Sequence, residues 1–349
     1  MHRTFIIGAD MKIAVMGGAG YIGSHTIIEL YKAGHSVVVV DNLVNSSNES
    51  LRRVAELVGS PIPFVKADVR DAAAMDKIFS ENKFDACIHF AGLKAVGESV
   101  AKPLEYYENN MNATFVLLHA MRNHGCKNLI FSSSATVYGN PAQIPITEAC
   151  PKGQCTNPYG QTKSMLEEVL RDVQKADPEW NIVLLRYFNP IGAHPSALIG
   201  ELPNGVPQNL LPFITQTAIG MRPELKVFGD DYNTPDGSCI RDYIYVVDLA
   251  KAHVKAIDRM LNAKDRKRVE VFNLGTGTGL SVLTLIREFE AATGVKLPYS
   301  IVGRREGDIE KVWADPRKAN EVLGWKAETP IRDVLASAWK WEQHIRHKK

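Results

Sequence analysis

No stretch of this chain approaches the ~18 consecutive apolar residues that a membrane-spanning helix needs, so the sequence reads as that of a soluble protein with no membrane partner. The N-terminal MHRTFIIGAD has too short an apolar core for a secretory signal. A first strand begins only at Lys12, so the leading ten residues read as an extension without a function, with Met11 an alternative start. Cysteine is scarce. Cys87, Cys126, Cys150, Cys155 and Cys239 make five, an odd number with no CxxC and no paired histidine spacing. That argues against a disulfide framework or a zinc site and for a reduced, cytoplasmic protein without a metal. Cys150 and Cys155 read as loop thiols. Charge of one sign is lacking too: 41 basic against 39 acidic side chains leave a net charge of +2, which excludes a nucleic-acid surface and makes any anion site local. Repeats and low-complexity tracts are absent.

What is present begins with KIAVMGGAGYIGS, Lys12 to Ser24. Ile13 to Met16 has the length and β-branched content of a buried parallel strand, and Tyr21 to Tyr31 carries apolar residues at helical spacing. Gly17, Gly20 and Gly23 fall at the turn between them. Without Cβ atoms they allow a tight turn, the approach of a diphosphate to the helix N-terminus and close packing of helix on strand. The spacing is GxxGxxG, a variant of the GxGxxG dinucleotide fingerprint. A second apolar run, His35 to Val40, ends at Asp41, near the ~20-residue offset at which an acid grips the adenosine ribose. A carboxylate there repels a 2′-phosphate and favours NAD over NADP. The competing reading is a plain strand-helix turn with a surface aspartate.

At ~150 residues per domain, 349 residues predict two units. From Lys12 to about Ile191, apolar runs at Pro63 to Val65, Ala86 to Phe90, Asn128 to Phe131 and Ile182 to Leu185 alternate with helical stretches. The fold class predicted is therefore α/β, a doubly wound parallel Rossmann sheet. Asp68 and Val69, and Ala91 and Gly92, then lie at carboxyl ends of strands, where such sheets bind ligands. Leu104 to Met121 and Gly160 to Lys175 are long amphipathic helices that cover the sheet or meet a second subunit. After Asn189 the chain turns rich in glycine and proline, which marks a boundary. The expected division is a dinucleotide-binding unit over 11–190, with 241–260 packing back on it, and a smaller, mixed α/β substrate unit over 191–349. VEVFNLGTGTGLS invites a second nucleotide site, but Leu280 stands where the third glycine belongs, and a turn capped by Ser281 is the better reading.

Catalysis points to Tyr159 and Lys163. Asn157 reads as an N-cap and Pro158 as a first helical residue, which puts Tyr159 and Lys163 one turn apart on one face. A lysine ammonium near a phenol favours phenolate and draws its pKa down from ~10, as a general base requires. YxxxK alone is common by chance. Here Ser132, Ser133, Ser134, Ala135 and Thr136 follow the Asn128 to Phe131 strand and bring hydroxyls to the same edge.

Glycines, acid, serines and YxxxK together resemble the extended short-chain dehydrogenase/reductase superfamily. GGAGYIGSH, DNL, HFAGLKAVGES, PLEYY, FSSSATVYG, LLRYFNP, GAHPSA, RDYIYVVDLA and RREGD narrow the resemblance to the UDP-glucose 4-epimerase family, from Lys12 to about Trp341. That resemblance implies NAD as cofactor, a UDP-sugar as substrate, and 4-epimerisation of UDP-galactose and UDP-glucose through a 4-keto sugar. It makes Tyr159 the base at the sugar 4-hydroxyl, Ser134 a proton relay, and Lys163 the residue that orients the cofactor ribose and tunes Tyr159. Tyr21, Ile22, Asp41, Asn42, Leu43, Asn45, Ser46, Asp68, Val69, Phe90, Ala91, Gly92, Lys94, Asn109, Ser132, Tyr187 and Phe188 match cofactor positions, beside the three glycines, Tyr159 and Lys163. Asn189, Asn209, Phe228, Arg241, Arg305 and Asp308 match positions that hold the UDP-sugar, together with Ser134 and Tyr159. The arginines offer fixed forks for a diphosphate, although each alone is more simply a solvated charge. Val312 falls where some relatives carry a tyrosine beside the sugar 2-position, which implies room for N-acetylated UDP-sugars. A homodimer through the two amphipathic helices is implied as well. Two rivals remain on the same residues. A nucleotide-sugar 4,6-dehydratase needs carboxylates after the serines, where this chain has Ala135 and Thr136. A non-catalytic NAD-binding module would have no use for the tyrosine, lysine and serine together.

Overall fold

The computed structural model describes residues 10–264, 268–305 and 308–347. Glu306 and Gly307 of the RREGD motif, and most of the N-terminal extension, lie outside them. Strands β1 (Lys12–Met16), β2 (Ser36–Asp41), β3 (Phe64–Lys66), β4 (Ala86–His89), β5 (Asn128–Ser134) and β6 (Asn181–Tyr187) alternate with helices α1 (Tyr21–Lys32), α2 (Asn48–Val58), α3 (Ala72–Glu81), α4 (Val96–Ala101), α5 (Pro103–Asn123) and α6 (Pro158–Ala176). After them come β7 (Asn189–Ile191), α7 (Leu210–Ala218), β8 (Leu225–Phe228), β9 (Ile240–Tyr245), α8 (Val246–Asn262), β10 (Val269–Leu274), β11 (Gly279–Ser281), α9 (Val282–Thr293), β12 (Tyr299–Val302), β13 (Lys311–Val312) and α10 (Ile331–His347).

The central sheet has seven strands in the order β10, β6, β5, β4, β1, β2, β3, all parallel. This is a doubly wound Rossmann sheet whose order reverses between β1 and β4, the switch point where such sheets take ligands. Continuous apolar strands are required because both faces are covered. Ile13 and Val15 pack with Ile27 of α1 and Leu249 of α8 on one face, and Ala14 and Met16 pack with Met75 of α3, Leu117 of α5 and Leu166 of α6 on the other. The seventh strand comes from 269–274, far beyond the glycine-rich stretch after Asn189 where the sequence places its boundary.

A smaller unit with a mixed sheet surrounds β9, which pairs antiparallel with β11 and parallel with β13 and β7. A separate parallel pair, β8 with β12, packs beside it. Its core gathers Leu211, Ile214, Val227, Tyr243, Leu285, Phe289 and Leu335.

Two local expectations change. The serines expected after the fifth strand belong to it: β5 runs on to Ser134 because β6 continues beside it, pairing Ser132 with Leu185, Ser133 with Arg186 and Ser134 with Tyr187. VEVFNL, expected only to precede a turn, is β10 and pairs with β6. The Ser281 cap is present, its Oγ accepting the Thr284 N–H at 3.1 Å to start α9.

Candidate active site

The turn after β1 carries Gly17 at φ +78°, and a Cβ built there would stand 2.7 Å from the Ala91 nitrogen. A Cβ on Gly23 would stand 2.6 Å from the Gly17 carbonyl oxygen, so α1 lies hard against the turn only because both are glycine. Gly20 caps α1 without a side chain, and the first N–H groups of a helix have no partners within it. Their partial positive charge faces the edge formed by β1 and β4. Phe90 and Ala91, just past β4, both donate their N–H groups to the Met16 carbonyl, at 2.8 and 3.0 Å. That pulls Ala91 and Gly92 onto the turn.

Asp41 ends β2 almost fully buried. Its Oδ2 accepts the Ala19 N–H at 3.0 Å, and its Oδ1 accepts the Leu43 N–H at 2.9 Å and the Ser46 hydroxyl at 2.8 Å. Leu43 takes φ +62° to make this turn, and Asn45 is exposed in it. Asp68, after β3, is held by Arg70, whose guanidinium keeps the carboxyl well below its usual range, and by Asn42, whose Nδ2 donates at 3.0 Å. Val69 is buried beneath it. Lys94 reaches the second unit, 3.6 Å from Glu201 and 5.8 Å from the Tyr21 ring, while the Tyr21 hydroxyl donates to the Gly192 carbonyl at 2.7 Å. Ile22 packs against the cores of both units. Asn109 donates to Asn110 at 3.0 Å.

These features fit a dinucleotide. The glycine turn is a cradle that side chains would fill, the uncapped helix start suits a diphosphate, and Asp41 is a fixed acid at the end of the adjoining strand.

At the carboxyl ends of β5 and β6 the chemical groups converge. Asn157 caps α6 by accepting the Gly160 N–H at 2.8 Å, with Pro158 next. Lys163, on the buried face, donates from Nζ to the Ser132 carbonyl at 2.6 Å and lies 4.7 Å from the Phe131 ring centroid and 6.0 Å from that of Tyr159. Burial pushes its ammonium down to about 8. Burial also pushes the Tyr159 phenol up, while hydrogen bonding with Ser134 pulls it back. This differs from the expected depression: the protein groups alone leave the phenol above its ordinary value, because desolvation outweighs the hydrogen bond with Ser134. Ser134 accepts both the N–H and the hydroxyl of Thr136, at 3.2 and 3.0 Å, and so caps the short 3-10 turn Ala135–Tyr138. Tyr187 donates to His253 Nε2 at 2.6 Å, since the other imidazole nitrogen faces the Leu249 carbonyl at 2.9 Å and must carry the proton there. Burial holds His253 down to about 4, hence neutral. Phe188 is buried beside Val137 and Tyr138.

The second unit gathers charged groups of its own. Arg305 grips Asp308 with two hydrogen bonds, 2.6 and 3.2 Å, and Arg241 Nη2 lies 3.6 Å from the same carboxylate. Phe228 is exposed, with the Arg305 guanidinium 5.7 Å from its ring centroid. Val312 pairs with Arg241 across β13 and β9 and packs toward Phe188 and Tyr138. Asn189 is exposed at the start of β7, and Asn209 donates to Glu201 at 2.5 Å. Arg241, Arg305, Asp308 and Phe228 are thus brought together, with Val312 next to Arg241. Among the described residues no group of histidine, cysteine, aspartate or glutamate could hold a metal ion.

The sequence reading missed Asn110, buried in α5. Its side chain bonds both the N–H and the carbonyl of Leu93 and donates to the Thr162 hydroxyl at 3.1 Å. It missed His253 as well. Neither residue stands in a recognisable pattern, and only the packing of α5 on α6, and of α8 on the sheet, finds them partners.

A profile of the NAD dependent epimerase/dehydratase family matches residues 13–275. The chain is 55% identical over 332 residues to the UDP-glucose 4-epimerase of Bacillus subtilis, covering 95% of this chain and 97% of that one. The chain belongs to this family. Among solved structures, the UDP-glucose 4-epimerase of Bifidobacterium longum in complex with NAD+ and UDP superposes with a TM-score of 0.93 at 54% identity, covering 97% of this chain and all of that one. The UDP-glucose 4-epimerase of Stenotrophomonas maltophila, with bound NAD and formylated UDP-arabinopyranose, gives a TM-score of 0.94 at 47% identity over 97% of this chain. Lys163 is buried at the carboxyl end of β5, against the Ser132 carbonyl.

That burial has a measurable signature. Lys163 titrates near 8 when folded and near 10.5 when unfolded, so between those values the unfolded chain binds the extra proton and stability rises with pH. The melting temperature of the cofactor-free wild type minus that of Lys163→Met is expected to increase from about pH 8 to about pH 10. A difference that stays flat across this window contradicts the assignment.

Proposed function

We propose that the protein interconverts UDP-galactose and UDP-glucose by 4-epimerisation with NAD retained in the site. The observation that carries this reading is a pair of clusters, Tyr159, Lys163 and Ser134 in one and Arg241, Arg305, Asp308 and Phe228 in the other, linked through Val312, which pairs with Arg241 and packs with the turn that follows Ser134.

Gly17, Gly20, Gly23 and the start of α1 hold the diphosphate of NAD, and Asp41 holds its adenosine ribose, with no space or charge for a 2′-phosphate. Lys163 orients the ribose at the reacting end. NAD, when bound, supplies a reversible hydride acceptor for the sugar C4. Arg241 and Arg305 clamp the UDP diphosphate, Asp308 accepts from the uridine ribose, and Phe228 packs on the base. The Tyr159 phenolate takes the proton from the sugar 4-hydroxyl, relayed through Ser134, and returns one after the 4-keto sugar has turned over. The phenol needs positive charge to ionise, because burial alone holds it up. Lys163 supplies one such charge, and the site is therefore competent as a base only when assembled.

The amphipathic helices support a homodimer: Leu104 and Phe115 on α5 and Met165 on α6 are large apolar side chains left exposed. Five unpaired thiols agree with a reducing, cytoplasmic setting. Val312, partly buried beside Arg241 and against Tyr138 and Phe188, supports acceptance of UDP-N-acetylglucosamine and UDP-N-acetylgalactosamine.

Purified protein given UDP-galactose and no cofactor is expected to form UDP-glucose. Tyr159→Phe should lower kcat by about 10²-fold or more, and unchanged turnover would remove Tyr159 from the role of base. Val312→Tyr is expected to abolish N-acetyl turnover while sparing UDP-galactose; full N-acetyl activity in that variant would sink the explanation. Sedimentation equilibrium should return twice the 38.6 kDa chain mass, and a monomer would refute the dimer.

A further inference from the structure

The carboxyl ends of β5, β6 and β10 carry a second set of polar groups, on the face away from Ser132, Ser134 and Tyr187. Ser133 lies opposite Arg186, and Arg186 opposite Asn273, in the parallel register. Neighbours in register project to one face, here the face covered by α6. Ser133 and Asn273 are fully buried and Arg186 is 3% exposed.

Glu167 of α6, also fully buried, meets them. Its Oε1 accepts the Ser133 hydroxyl at 2.6 Å and Arg186 Nε at 2.9 Å, and its Oε2 accepts Arg186 Nη2 at 2.5 Å. Arg186 Nη1 donates to the Tyr138 hydroxyl at 2.8 Å, which donates in turn to Asn273 Oδ1 at 2.7 Å. The Asn273 amide donates to the Ile146 carbonyl at 2.8 Å. A buried ion pair does little for stability, because desolvation opposes its attraction, but a fully hydrogen-bonded one fixes geometry.

The segments it fixes are those of the site. Glu167 follows Lys163 by one helical turn and Tyr159 by two, so all three lie along one stripe of α6. Ser133 sits between Ser132, whose carbonyl holds Lys163, and Ser134, which bonds Tyr159. Tyr138 ends the 3-10 turn that Ser134 begins.

We propose that Glu167, with Ser133, Arg186 and Tyr138, forms a positioning cluster that sets α6 against β5 and so holds Tyr159 and Lys163 in line with Ser134. This rests on the reaction proposed above. None of the four touches the substrate; they act through the groups whose other side faces it.

The test uses Ser133→Ala and Tyr138→Phe in the NAD-holding enzyme. Each removes one hydroxyl and leaves the ion pair, so each is expected to fold and keep its NAD, checked by melting temperature and bound nucleotide. Turnover of UDP-galactose is measured from about pH 5 to 9 beside the wild type and Ser133→Thr. With alignment loosened, kcat should fall by roughly tenfold or more while KM moves by less than about twofold. The acid limb of the kcat profile should move to higher pH as Lys163 loses its hold on the Tyr159 phenol, and Ser133→Thr should restore both. Lower melting temperature with wild-type kcat and an unmoved acid limb, or a change confined to KM, overturns the cluster's role. A wild type that does not interconvert the two sugars overturns the assigned reaction and the cluster with it.

Discussion

Parallel strands in fixed register are the constraint on which this molecule depends. Because β1 to β6 and β10 all run the same way, their carboxyl ends reach one edge together, and every loop that leaves that edge starts from a defined height. The glycine turn after β1, Asp41 at the end of β2, Asp68 after β3, Ala91 after β4 and Ser134 at the end of β5 share it. A shift of one residue between β5 and β6 would send Ser133 and Arg186 to opposite faces, so that Glu167 could no longer bond both. Hydrogen bonding along the sheet therefore does more than stabilise: it aligns the chemical groups.

Two kinds of close contact then bring the rest to that edge. At the glycine turn, backbone meets backbone without side chains between, which lets the N-terminus of α1 reach the switch point. At α6 the contact is ionic and hydrogen-bonded, with Lys163 and Glu167 reaching β5 and β6 from one stripe of the helix. The second unit is joined to both by groups that are not themselves placed for chemistry. Tyr21 bonds the Gly192 carbonyl, Lys94 approaches Glu201, and Trp325 donates to the carbonyl of Asp248 at 2.8 Å. Arg241, Arg305 and Asp308 lie together in that unit, and Val312 beside Arg241 packs with the turn that follows Ser134.

Electrostatics set how the site behaves. Lys163 sits where its charge is costly, and burial lowers it to about 8. Tyr159 sits where a phenolate is costly too. Two groups disfavoured separately become compatible when one carries the positive charge the other needs, and a cationic ring brought in by a cofactor acts in the same direction. His253 takes the opposite part, neutral and fixed by Leu249, so that it holds the Tyr187 hydroxyl without adding charge.

Local sequence determined much of this. Apolar runs of strand length, glycines at a turn, an acid ending the second strand, and an N-cap with proline before YxxxK each act through neighbours in the chain, so the strands through β6, helices α1, α5 and α6, and the positions of Tyr159, Lys163 and Asp41 were legible. The ends of elements were not. β5 runs through its serines only because β6 continues beside it, and VEVFNL becomes a strand of the first sheet only because the free edge of β6 receives it. Ser133, Arg186 and Asn273 stand more than fifty residues apart and form no motif; parallel register makes them neighbours, and the turn of α6 puts Glu167 above them. Side chains whose partners lie along the chain declare themselves in the sequence, whereas those whose partners lie across the sheet acquire their roles only when the strands align.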